Sequence, residues 1–323
     1  MIAKLSPLTE EARRRLSRIF FGFFIFFALT VAVQLLAVVA VEIYAPHLLE
    51  TQLFSWVVSL FPMYAIGLPV LYLVVRDLPT VTPKKRRLRV RDFLTFLIIS
   101  YATMYLANLV GTGINLVTDL VTGNSSSSGA TELISSSSFG YTMLFAVIIG
   151  PIVEEIIFRH IILRRLLPFG EGFAVGICSL LFGLYHGNLA QFIYAFAVGW
   201  IFCIVALRTG KLIHTVLLHI AMNFLGSIPA SLLLPYAEKY LSGAEIEMTP
   251  EAVLATLAVL GYTAMLLLLV AVGVGLFLWR RRALLPRRGE VCIPRGERRY
   301  LLFSPGCGVY LVAVFILFLL SYL

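Results

Sequence analysis

The sequence predicts an all-α fold, a polytopic transmembrane helix bundle of about nine spans with its N-terminus in the cytoplasm. Three observations carry this expectation. Hydrophobic residues make up 60% of the 323 and charged residues only 13%, far from the balance of a soluble domain. The apolar residues gather in runs of about 20 or more, the length that crosses a hydrocarbon core about 30 Å thick. The cations fall in short clusters between those runs and form no aromatic-studded basic face, so the net charge of +9 reads as membrane topology and excludes nucleic acid as a partner.

Basic residues precede the first apolar run, as in a signal peptide, but the run from Ile19 to Ala45 is too long for one and reads as a retained first span. The predicted spans are 19–44, 53–75, 93–121, 141–163, 172–186, 189–207, 212–234, 252–279 and 300–323. Loops rich in Lys and Arg (13–18, 84–91, 164–165, 208–211, 280–299) alternate with loops poor in them, around His47, 122–138, Asn188 and 237–251. Nine spans with an inside N-terminus place every basic loop on the cytoplasmic side and the C-terminus outside. The serine-rich 122–138 reads as a flexible external loop, and the Pro-punctuated 280–299 as a basic inner linker attracted to anionic lipid. Cys178, Cys203, Cys292 and Cys307 lack the spacing of a metal site or a disulfide framework and read as free thiols.

Charge inside a span needs a reason, because a carboxylate at the bilayer centre costs about 2.5–3.5 kcal/mol on insertion scales. The stretch "PIVEEIIFRH", residues 151–160, holds two adjacent glutamates and an arginine. Pro151 lacks an N–H and crowds the carbonyl of Val147, predicting a kink or a restart of the helix at Gly150 and Pro151. Glu155 and Arg159 are four apart and face each other, whereas Glu154 points about 100° away and is left available. Downstream, "LLFGLYHGN" places Phe182 and His186 one turn apart, and "HTVLLHIAMN" does the same for His219 and Asn223. Taken singly, each has a structural explanation: Glu155 with Arg159 as an orienting pair, Asn223 as interhelical glue, His160 and His214 as interhelical hydrogen bonders. Taken together, a carboxylate, two imidazoles and an amide supply a base, a proton carrier and oxyanion donors, the parts for hydrolysis by activated water.

These three motifs, E-E-x-x-x-R at Glu154, Glu155 and Arg159, F-x-x-x-H at Phe182 and His186, and H-x-x-x-N at His219 and Asn223, resemble in order those of the CAAX protease and bacteriocin-processing (CPBP/Abi) family of intramembrane endopeptidases, with its type II CAAX prenyl endopeptidases. The resemblance covers about a third of the chain and divides it into a three-span region (1–138), a CPBP-like catalytic core of about four membrane helices (139–235) and a two-span region with the basic linker (236–323). It implies a membrane-embedded peptidase of the cell membrane acting on a membrane-associated protein or peptide; the depth count below puts its site in the cytoplasmic half of the bilayer. Glu154 resembles the water-activating glutamate and His186 the histidine that works with it. His219 and Asn223 resemble the oxyanion pair, while Glu155, Arg159 and Phe182 take supporting positions. A metal-free glutamate mechanism is the preferred reading; were zinc involved, Glu154, His186 and His219 would be its ligands, although no H-E-x-x-H pair is present.

A rise of about 1.5 Å per residue puts Glu154 and His219 each about 10 Å from the inner face, but places His186 about 20 Å from it if span five starts there. That span therefore starts outside the membrane, tilts, or crosses only in part. Two rival functions stand beside the peptidase: a proton-coupled transporter, which also uses intramembrane Glu, His and Arg, and a non-catalytic membrane scaffold on the same fold.

Overall fold

The computed structural model describes residues 5–123, 133, 134, 136–241, 249–287, 289, 291 and 293–320, and among them the backbone forms helices and no strand. The helices are α1 (Pro7–Tyr44), α2 (Gln52–Val75), α3 (Val90–Thr122), α4 (Phe139–Phe169), α5 (Glu171–Tyr185), α6 (Leu189–Thr209), α7 (Leu212–Leu241), α8 (Pro250–Arg280) and α9 (Pro305–Leu320). Each coincides with a predicted span. Six are long and apolar enough to cross a membrane; α5, α9 and the Leu212–Ile228 part of α7 are apolar but shorter. Most of the serine-rich loop (124–132 and 135) and Cys292 lie outside the described residues, while Cys178, Cys203 and Cys307 are free and buried.

Helix and span are different lengths where polar residues continue a helix. α1 starts at Pro7, twelve residues before its apolar run, because Ser6 caps it by accepting the Thr9 amide and proline suits the first helical position. Residues 13–18 thus lie on a helix. The basic clusters also do more than orient the chain. Arg15 and Arg165 are buried, and their guanidinium groups satisfy backbone carbonyls. Arg165 donates to Val75 (2.7 Å) and Arg76 (3.3 Å) at the end of α2, where the last helical carbonyls have no partner of their own. Arg15 donates to Pro79 (3.2 Å) and to Arg165 itself (2.9 Å).

The expected restart at Pro151 does not occur. Ile149 and Gly150 keep helical backbone angles, and the chain instead widens to π-type turns over Thr142–Ile149 and again over Ile156–Ile162. The Gly150 N–H bonds Phe145 and the Leu163 N–H bonds Phe158, each five residues back. The wider turn gives the proline ring room without breaking the rod. α2 does the same after Pro62, with a π-type stretch over Pro62–Gly67.

α6 is the axis of the bundle. One of its faces (Ala195, Cys203, Ile204) joins the large core built with α1, α4, α5 and α9. Its other face (Val198, Phe202, Val205) packs with Tyr101 of α3 and Leu218 and Met222 of α7. α8 covers α3 and α7 from outside. α4, α5, α6 and α7, which carry the polar motifs, are therefore enclosed by α1, α2 and α9 on one side and by α3 and α8 on the other.

Candidate active site

The polar residues of α4 and α7 meet at the centre of the bundle. Glu155 and Arg159 pair at 3.0 Å with side chains 0% and 1% exposed. The same Glu155 Oε1 accepts from His219 Nδ1 at 3.0 Å. One carboxylate oxygen thus ties α4 to α7. Aromatic rings surround the guanidinium: Arg159 Cζ lies 4.4 Å from the centre of the Phe182 ring and 5.3 Å from that of Phe202. Arg159 Nη2 also donates to the carbonyl of Gly199 at 3.3 Å. A glycine is required there, since a Cβ on residue 199 would come 2.8 Å from Phe182 Cδ1 and push α5 off α6.

Glu154 faces differently, as the helical spacing predicts. Its side chain is 16% exposed, and its Oε2 lies 3.7 Å from His219 Nε2, too far for a direct hydrogen bond. Because the Glu155 carboxylate accepts from Nδ1, His219 carries a proton on that nitrogen, and a neutral ring would present a lone pair toward Glu154. Only the imidazolium form can donate there.

His186 closes α5, where the chain turns through Gly187 (φ 63°) into the Asn188 cap of α6. α5, at 15 residues, is about 22 Å long, shorter than a membrane core about 30 Å thick. The Phe182 carbonyl accepts from His186 Nδ1 at 2.9 Å, which leaves Nε2 free to take a proton. The rings of Tyr185 and Tyr194 stand edge-on to the His186 imidazole at 5.8 and 6.3 Å. Phe182 stands edge-on between the imidazoles of His186 (5.2 Å) and His219 (5.9 Å).

Asn223 lies one turn beyond His219 on α7, and its amide donates to the Ala146 carbonyl of α4 at 2.9 Å. That carbonyl is four residues before Gly150, inside the first π-type stretch, where the helix's own hydrogen bonding is shifted. One amide hydrogen orients the side chain; the second remains for another acceptor. His160 and His214 stay apart, the first exposed on α4 and the second on the opening turn of α7 beside Lys211.

The residues missed by sequence reasoning are the tyrosines. Tyr64 comes from α2, in the π-type stretch after Pro62, and its hydroxyl lies near Gly150 of α4. A polar tip two residues after an in-span proline was the available signal. Among the described residues no three His, Cys, Asp or Glu side chains are grouped so as to hold a metal.

Residues 136–225 match the family described as type II CAAX prenyl endopeptidase Rce1-like. A Bacillus subtilis (strain 168) protein named "Putative membrane peptidase YdiL" is 35% identical over 82 residues, which are 25% of this chain and 34% of that protein. The match thus spans about a third of the relative's length. No solved structure matches the chain. The matched segment runs from just before α4 into α7 and holds every residue of the three motifs.

Proposed function

From the premise that this segment belongs to the CAAX protease and bacteriocin-processing family, we propose that the chain is an intramembrane endopeptidase that hydrolyses a peptide bond of a membrane-associated substrate. The observation that carries the reading is the split fate of two neighbouring carboxylates: Glu155 is neutralised by Arg159 and His219, and Glu154 is left facing His219 Nε2 without a hydrogen bond.

In this mechanism a water hydrogen-bonded to Glu154 loses a proton to it as the water oxygen attacks the scissile carbonyl carbon. The carbonyl π electrons move onto oxygen, and the second amide hydrogen of Asn223 and the Nε2–H of cationic His219 donate to that oxyanion. Collapse re-forms the carbonyl, expels the amine, and returns the proton to the departing nitrogen, with His186 Nε2 as the second site able to carry it. Glu155 and Arg159 hold His219 in its ring orientation and do not touch the substrate. A site of this kind lies within the cytoplasmic half of the membrane if the basic loops face the cytoplasm. No step uses a metal.

Full-length protein in detergent or liposomes, given fluorogenic peptides with and without a prenylated C-terminal cysteine, should cleave at least one. Glu154→Gln and His186→Ala should each lose about 10²–10⁴-fold in turnover with the thermal midpoint unchanged. Normal cleavage by both variants would remove the water-activating assignment. Chelator should leave turnover intact; loss restored by zinc would return Glu154, His186 and His219 to the role of ligands. PH-driven solute flux without proteolysis would support a transporter instead.

A further inference from the structure

A cavity of about 760 Å³ opens at the basic end of the bundle between the start of α5 and described residues from the 286–302 stretch, among them Pro286, Arg287, Arg295, Arg298 and Leu301. Its volume falls in the range of small-molecule sites. Two features of the sequence make the space. Gly172 and Gly176 are one turn apart on the same face of α5; a Cβ at 176 would meet nothing within 4 Å, and one at 172 would meet only Pro286, at 3.9 Å. Glycine weakens a helix interior, so an open face built on two of them leaves room at a cost in helix propensity. The floor is apolar, with Phe173, Ile177 and Leu301, and the rim carries Arg287, Arg295 and Arg298.

Among the described residues the charge on that rim is uncompensated. The one carboxylate among the described lining residues, Glu171, is engaged by Arg208 Nη1 at 3.0 and 2.9 Å and by the Arg287 backbone N–H at 2.7 Å. None of the three rim guanidinium groups forms an ion pair among the described residues, and all three are exposed. Apolar floor and cationic rim complement an amphiphile with a negative head.

We propose that this cavity binds one anionic phospholipid, its phosphate on Arg287, Arg295 and Arg298 and an acyl chain along the glycine face of α5. The site is separate from the Glu154 centre, which lies toward the opposite end of α5, and it does not depend on the proposed peptidase activity. Arginines beside a membrane attract acidic lipid individually, but the glycine-lined floor makes the claim a defined site.

Full-length protein in nanodiscs of phosphatidylcholine with a minor fraction of phosphatidylglycerol tests it, by native mass spectrometry of the lipid retained on release. One phosphatidylglycerol should stay bound in preference to phosphatidylcholine. The Arg287→Gln, Arg295→Gln, Arg298→Gln variant should lose retention by on the order of a hundredfold. Gly176→Leu, which fills the floor without altering charge, should lose it as well. Lys84→Gln, Lys85→Gln, Arg87→Gln removes the same charge from the exposed 84–91 loop and should retain the lipid. Retention by Gly176→Leu equal to wild type would overturn the proposal, as would equal loss in the 84–91 variant or equal competition by glycerol phosphate alone.

Discussion

Two arginines six residues apart on α4 are both buried, yet they are satisfied in different ways. Arg159 sits mid-helix among aromatic rings, where one carbonyl, that of Gly199, accepts from it and the Glu155 carboxylate balances its charge. Arg165 sits at the end of the bundle, where its guanidinium donates to the carbonyls of Val75, Arg76 and Ile161 and forms no ion pair among the described residues. The comparison separates two uses of a buried cation. At the helix end it closes the fold; at mid-helix it fixes Glu155, and through Glu155 it fixes His219.

Removing each charge should expose that difference. Arg159→Leu leaves Glu155 buried beside His219 alone, and unfolding measurements should give a loss of about 3–5 kcal/mol. Arg159→Leu with Glu155→Leu should recover most of that stability, because an apolar pair replaces an ion pair at little cost, while turnover stays absent because His219 has lost its holder. If the double variant cleaves substrate normally, the positioning role is wrong. Asn223→Leu acts on the opposite side of His219 and should lower kcat by about 10²–10³-fold with a smaller effect on KM.

Arg165→Met keeps the apolar stem but removes the guanidinium hydrogen bonds to Val75, Arg76 and Ile161, for an expected loss of about 1–3 kcal/mol. The protein that remains folded should cleave at the wild-type rate. A loss of turnover as large as that of Arg159→Leu would erase the distinction between the two sites.

The helices were legible because hydropathy reports membrane length directly, and the Glu155–Arg159 pair was legible because four residues make one turn. What packing decides was not. Which face of α7 meets α4 determines that His219 reaches both glutamates, and nothing in "HTVLLHIAMN" fixes that rotation. The short α5 followed the same rule: its apolar run merges with that of α6, and only the Gly187 turn shows where the helix stops. Tyr64 was hidden because it arrives from α2, outside the motif-bearing segment. The burial of Arg15 and Arg165 was hidden as well, since clustered cations between apolar runs read first as topology.

The weakest expected effect lies on the exposed periphery. Arg18 grips Asp77 at 2.8 and 2.5 Å, and that hydrogen bonding holds the Asp77 carboxyl below the usual range. A depressed folded-state value makes the pair's contribution present above about pH 4 and lost as pH falls further. Asp77→Asn should therefore lower the thermal midpoint only slightly at neutral pH, and the difference from wild type should vanish in acid. A difference that grew on acidification would reverse the sign of this linkage.

The neighbouring glutamates give the most direct test. Turnover and thermal midpoint measured together on Glu154→Gln and Glu155→Gln should separate: the first silent in cleavage but as stable as wild type, the second destabilised by leaving Arg159 without its anion. A Glu154→Gln protein that cleaves at the wild-type rate, or that unfolds as readily as Glu155→Gln, would contradict the division of labour on which the site rests.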